Sequence, residues 1–136
     1  NSGAMGPFEV TAKETNGIFR PAKWQELSDS LGYDFLLELV DDFEAHLLTK
    51  EPIIDEALKS RDFGVLEAEI HALKGSSGNL GVEDLFVKAS AAVRGIRIGS
   101  DDREQLCRQF HTELRGVLKR LATGARPPEN YGQRQR

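Results

Sequence analysis

Apolar residues recur along the chain at spacings of three and four and nowhere with a sustained period of two, so helices are expected and strands are not. The first helical stretch is short. Pro21 suits a first helical position, Trp24, Leu27 and Leu31 follow at i, i+3 and i+7, and Gly32 can end it, which predicts a small helix acting as a lid. Leu36, Leu39, Val40, Phe43 and Leu47 stripe a longer helix. Ile54 and Leu58 continue an apolar face beyond Pro52, which either kinks that helix or starts a new one, because it lacks the amide hydrogen a helix interior uses. Asp62 is a candidate N-cap for a third helix, in which Leu66, Ile70, Leu73, Ser77 and Leu80 share one face. A fourth follows Gly81, with Glu83 and Asp84 near its positive end and Leu85, Ala89, Ala92, Val93 and Ile96 spaced for burial. Gly99 and Ser100 break the pattern. Asp101 and Glu104 then have the spacing of a capping box opening a fifth helix, whose inward stripe is Leu106, Phe110, Leu114, Val117 and Leu121.

Amphipathic helices joined by short connections bury their stripes most simply as an antiparallel bundle. The expected fold class is therefore all-α, an antiparallel four-helix bundle with a short additional N-terminal helix. Residues 1–6 read as an expression scar and 7–20 as an N-terminal extension; the bundle occupies 21–123. Residues 124–136, with two prolines, Gly132 and little to bury, read as a flexible polar tail.

Composition narrows the function classes. A chain of 136 residues fits one domain. Its 18 basic and 22 acidic residues leave a net charge of −4, which argues against a chain-wide nucleic-acid footprint. The balance is uneven: residues 1–68 hold 6 basic and 14 acidic residues (−8), and residues 69–136 hold 12 and 8 (+4). Cys107 is the only cysteine, which excludes an intrachain disulfide and a Cys-built zinc finger and fits a reducing compartment. No apolar run approaches the ~18–20 residues of a membrane span, and the start lacks a signal-peptide pattern. A cytoplasmic setting without direct membrane contact is the expectation.

The stretch from Ile70 to Gly81 breaks a local rule. An interior helical glycine costs about 1 kcal/mol relative to alanine, yet Gly75 and Gly78 fall inside the apolar periodicity of the third helix. At about 100° per residue, Glu67, Lys74, Gly75 and Gly78 lie within about 60° of His71, away from the Leu66, Leu73 and Leu80 stripe. Bare glycine beside an exposed imidazole opens a flat approach for another macromolecule, and Lys74 adds a positive charge. A neutral imidazole nitrogen is a competent nucleophile near neutral pH. Phosphoryl transfer needs in-line positioning and cations near the equatorial oxygens. No GxxxxGK[ST] or GxGxxG loop is present, so ATP is not the expected donor and the chain is not an ATP-dependent autokinase by itself.

His71-x-x-Lys74-Gly75-Ser76-Ser77, followed by Leu80-Gly81, resembles the signature of histidine phosphotransfer (HPt) domains of bacterial phosphorelays. The resemblance covers roughly Trp24 to Leu121. It implies a four-helix bundle in which His71 takes a phosphoryl group from a receiver-domain aspartate and passes it to another receiver. Lys74 would be the electrostatic partner, Gly75 the clearance residue and Gly81 the family's glycine after the site. Glu67, Gly78 and Lys88 complete the expected docking residues. Ile70 stands where members commonly carry a small residue, and Val93-Arg94 where many carry Leu-Glu. The implied partners are receiver (response-regulator) domains. The engineered start and polar end fit the C-terminal module of a hybrid sensor histidine kinase, whose parent protein would be anchored in the inner membrane. A monomer is expected. Mg²⁺ belongs to the receiver's acidic pocket, so no cofactor is expected to stay bound. The other reading is a helical adaptor that binds receivers without phosphotransfer.

Asp42 and His46, and Cys107 and His111, are each four apart on a helical face, but two ligands do not make a metal site, and none is expected. Ser76 and Ser77 are expected to be close-packing small residues. The run Asp41-Asp42-Phe43-Glu44 reads as a solvated acidic face, and Lys74, Lys88, Arg94 and Arg97 as cations near a docking face for an acidic receiver pocket.

Overall fold

The computed structural model describes residues 18–128. Five helices follow in chain order: α1 (Pro21–Leu31), α2 (Tyr33–Ser60), α3 (Phe63–Leu80), α4 (Glu83–Ile98) and α5 (Arg103–Ala122). Among the described residues there is no strand; Phe19 and Val82 form a single isolated antiparallel bridge. No helix among these residues is long and apolar enough to cross a membrane.

The bundle closes in a ring. Helix α2 packs on α3 and α5, and α4 packs on the other side of both, while α1 lies across α2 and α3. The chain reverses tightly because Arg61, Gly81 and Gly99 adopt left-handed conformations that end α2, α3 and α4. The sequence stripes form the core: Leu36, Val40, Leu47, Leu66, Leu73, Leu85, Phe110 and Leu114 are fully buried. Ile70, which stands where the family signature has a small residue, is equally buried and serves packing.

Of the two outcomes open at Pro52, a new helix does not start there. The proline is exposed inside one 28-residue helix, and Leu47 and Ile54, fully buried on either side of it, hold the two halves to the core. Asp62 caps α3 as expected, its carboxylate accepting from Val65 N at 3.1 Å. The capping box of α5 does not form. Asp102 is the N-cap residue, its side chain makes no cap bond and instead accepts from the Ser100 hydroxyl, and Glu104 turns outward to Arg61 and Arg108. Two arginines within reach of one carboxylate outcompete a backbone amide at an exposed helix end.

The packed body extends beyond residues 21–123 at both ends. Ile18 and Phe19 are buried, and the Phe19 ring meets Trp24 edge-on at 4.8 Å between centroids. Part of the segment read as a flexible tail is packed, since Ala125 and Pro127 are buried. Tyr33 Oη donates to Pro127 O at 2.7 Å, and Arg126 reaches Asp41 and Glu44 at 3.0 and 2.9 Å. The acidic run on α2 is thus partly an anchor for the segment that follows α5. Residues 129–136, together with 1–17 and the segment read as an expression scar, lie outside the described residues.

Candidate functional site: an exposed histidine over bare helix backbone

His71 lies in mid-α3 with its side chain in solvent, and among the described residues its ring makes no hydrogen bond or ion pair. Its neighbours along the chain, Ile70 and Leu73, point into the core and fix which face of α3 is inward. Gly75, one turn on, is exposed, and a Cβ built there would meet nothing within 4 Å. No contact among the described residues therefore requires glycine at 75, although alanine would favour the helix by about 1 kcal/mol.

Gly78 has a different cause from the open approach expected of it. A Cβ there would lie 3.0 Å from the Phe86 ring, so this glycine admits α4 close against α3. Gly81 is required twice over: its φ is +71°, and a Cβ would fall 2.7 Å from Lys23 Cβ. Ser77 is buried and donates to Leu73 O at 2.7 Å, while Ser76 donates to Ala72 O at 3.2 Å. Both hydroxyls are occupied by their own helix, as expected of packing residues.

His71, Lys74, Gly75 and Gly78 share a shallow hollow of about 460 Å³ with Asn79, Glu83 and Phe86. Arg20 lines it as well. Sequence periodicity could not find Arg20, because it precedes the first helix. It reaches the hollow through its backbone: Arg20 N donates to Gly81 O at 2.7 Å, and the Phe19–Val82 bridge pins the same segment to the α3–α4 turn. The sequence signal, visible only afterwards, is an apolar Ile18-Phe19 pair directly before the Arg20-Pro21 helix start. The hollow thus holds two cations that form no ion pair among the described residues, Arg20 and Lys74, and one carboxylate, Glu83. Glu83 also sits in the first turn of α4, where the helix dipole favours an anion.

The remaining sequence-selected residues are dispersed. Glu67, one turn before His71, is bonded to Arg97 Nε at 2.7 Å. Lys88 reaches Glu113 on α5 at 3.2 Å and lines a separate depression with Gln105 and Arg108. Arg94 is exposed. Asp42 and His46 lie in an apolar hollow between α1, α2 and α3, with Leu27, Leu39 and Ser76. Cys107 and His111 diverge: the thiol is buried in the core, where burial and then the Glu104 charge push its pKa up to about 11, and His111 crosses to Glu51 on α2.

An unencumbered imidazole beside bare backbone, flanked by cations, can take up and release an anionic group presented by another protein. The family model described as Hpt domain matches residues 38–124, which include α3, His71 and the following turn. The chain belongs to the Hpt domain family. Hpt domains carry out histidine phosphotransfer in the phosphorelays of two-component signalling, and they interact there with receiver domains and kinases. Comparisons with curated proteins and with solved structures returned no match.

Proposed function

We propose that His71 is the phosphoacceptor of this Hpt domain, taking its phosphoryl group from a receiver aspartate and passing it to a second receiver. The observation that carries this reading is the exposed His71 ring beside Gly75, the interior glycine of α3 against which no described residue packs. An unprotonated imidazole nitrogen attacks the phosphorus of the aspartyl phosphate. The N–P bond forms as the P–O bond breaks, and the aspartate carboxylate leaves with the bonding pair. Lys74 and Arg20 neutralise charge on the equatorial oxygens, and Mg²⁺ is supplied by the receiver's own acidic pocket. Gly75 gives the receiver surface room to bring the phosphorus in line, and Gly78 supports it indirectly by holding Phe86 and α4 in place. Glu67, one turn before His71 and held by Arg97, belongs to the rim of the docking face, and Lys88, paired with Glu113 beside a separate depression, is left out of it.

The test is incubation with a phosphorylated receiver. Wild-type protein gains an acid-labile, alkali-stable label, and His71→Gln gains none. Equal labelling of the two would overturn the assignment. Receiver binding without any label on the wild-type chain would instead establish the adaptor reading.

A further inference from the structure

Away from the His71 hollow, three side chains with metal-ligating atoms converge on the seam between α2 and α5. Glu51 and Asp55 are four residues apart and so share one face of α2. His111 of α5 meets them: its Nε2 lies 2.8 Å from Glu51 Oε2 and 3.9 Å from Asp55 Oδ1. One ligand atom from each of the three lies within 4.8 Å of the others. We propose that Glu51, Asp55 and His111 bind a divalent transition-metal ion, with Zn²⁺ the best match, and that the ion staples α2 to α5.

Tetrahedral Zn²⁺ with bonds of about 2.0–2.2 Å sets its ligand atoms roughly 3.4 Å apart, so each side chain needs to move by about 1 Å or less. One imidazole nitrogen and two carboxylate oxygens suit late first-row ions, whereas Mg²⁺ and Ca²⁺ prefer oxygen shells of six or more. Three protein ligands leave a fourth position for water. The partial shelter fits as well, with side-chain exposures of 12% for His111, 26% for Glu51 and 40% for Asp55. Lys59 competes for Asp55 at 3.1 Å, but it is 69% exposed and yields readily, because exposed ion pairs contribute little. None of the three residues lines the His71 hollow, so the ion would stabilise the bundle without entering phosphotransfer. Spacing along one helix offered only the pairs Asp42 with His46 and Cys107 with His111, neither of them expected to hold a metal; the convergent set spans two helices, which local spacing does not display.

The chain has three histidines, His46, His71 and His111, so the origin of any zinc signal can be assigned by substitution. Titration of the whole chain with ZnCl₂ by calorimetry, and with CoCl₂ by visible absorption, is expected to give one ion per chain and the bands of tetrahedral Co²⁺. His111→Gln and Asp55→Asn should each weaken binding by at least about 10-fold, and Lys59→Ala should strengthen it. His46→Gln and His71→Gln should leave it unchanged. Saturating Zn²⁺ should raise the wild-type melting temperature by several degrees and that of His111→Gln by none. Asp55→Asn lies on a partly exposed side chain and keeps the test readable if the His111 variant folds poorly. No binding at 100 µM Zn²⁺, or binding that survives His111→Gln and Asp55→Asn, would overturn the proposal.

Discussion

Replacing Gly75 with leucine separates the stability of α3 from its proposed work. Its exposed position offers an added side chain open space, with nothing within 4 Å of an ideal Cβ. Relief of the glycine penalty should then act almost alone, and leucine ranks just below alanine, so Gly75→Leu is expected to stabilise the protein by about 0.8 kcal/mol. For a domain of this size that corresponds to roughly 3 °C in Tm. The new side chain would stand one turn from His71, about 5–6 Å between Cβ atoms, in the space a receiver must enter. Displacement of the reacting atoms by about 1 Å costs on the order of 100-fold, so transfer should fall by at least that much. Thermal melting followed by circular dichroism gives the first quantity, and single-turnover transfer from a phosphorylated receiver gives the second. Gly75→Ala should match the stability gain with a smaller loss of rate. Gly78→Leu should destabilise instead, because it drives into Phe86. A transfer rate for Gly75→Leu within about 3-fold of wild type, or a Tm lowered by 3 °C or more, would refute this account of the bare helix face.

Arg20→Ala and Lys74→Ala should each slow transfer by about 10-fold or more while leaving the Tm within about 2 °C, because both side chains line the hollow without an ion pair among the described residues; equal rates for wild type and both variants would remove them from the site. Gly81→Ala should lower the Tm by several degrees, through its +71° φ and the 2.7 Å approach of Lys23 Cβ, and a neutral effect would mean that the α3–α4 turn relaxes freely. Cys107, its thiol pushed up to about 11 from 9.0, holds about 100-fold less thiolate at pH 8 in the folded protein than an unshifted thiol. Iodoacetamide alkylation should therefore be at least that much slower than in denaturant and should rise with pH, whereas fast modification at pH 8 would show the thiol to be accessible.

Much of the fold was legible because burial imposes a period. Leu66, Ile70, Leu73, Ser77 and Leu80 announce the inner face of α3, and all five are buried. The same period puts His71 and Gly75 on the outer face. Where a residue's role depends on a partner distant in sequence, the pattern ran out. Gly78 looked like more open surface until Phe86 of α4 lay against it, and Glu104 had the spacing of a cap until Arg61 and Arg108 claimed it. Pro52 left two outcomes open that only packing on both sides could decide. Local sequence alone determined the helices, their inward faces and the exposed histidine with its lysine and bare glycine, since these follow from 3.6-residue periodicity and side-chain chemistry. Tertiary structure alone decided that Arg20 joins the hollow, that Arg126 anchors the segment after α5 to α2, and that His111 meets Glu51 and Asp55. Such contacts join residues tens of positions apart, whose meeting is set by how the helices dock and not by any spacing along one of them.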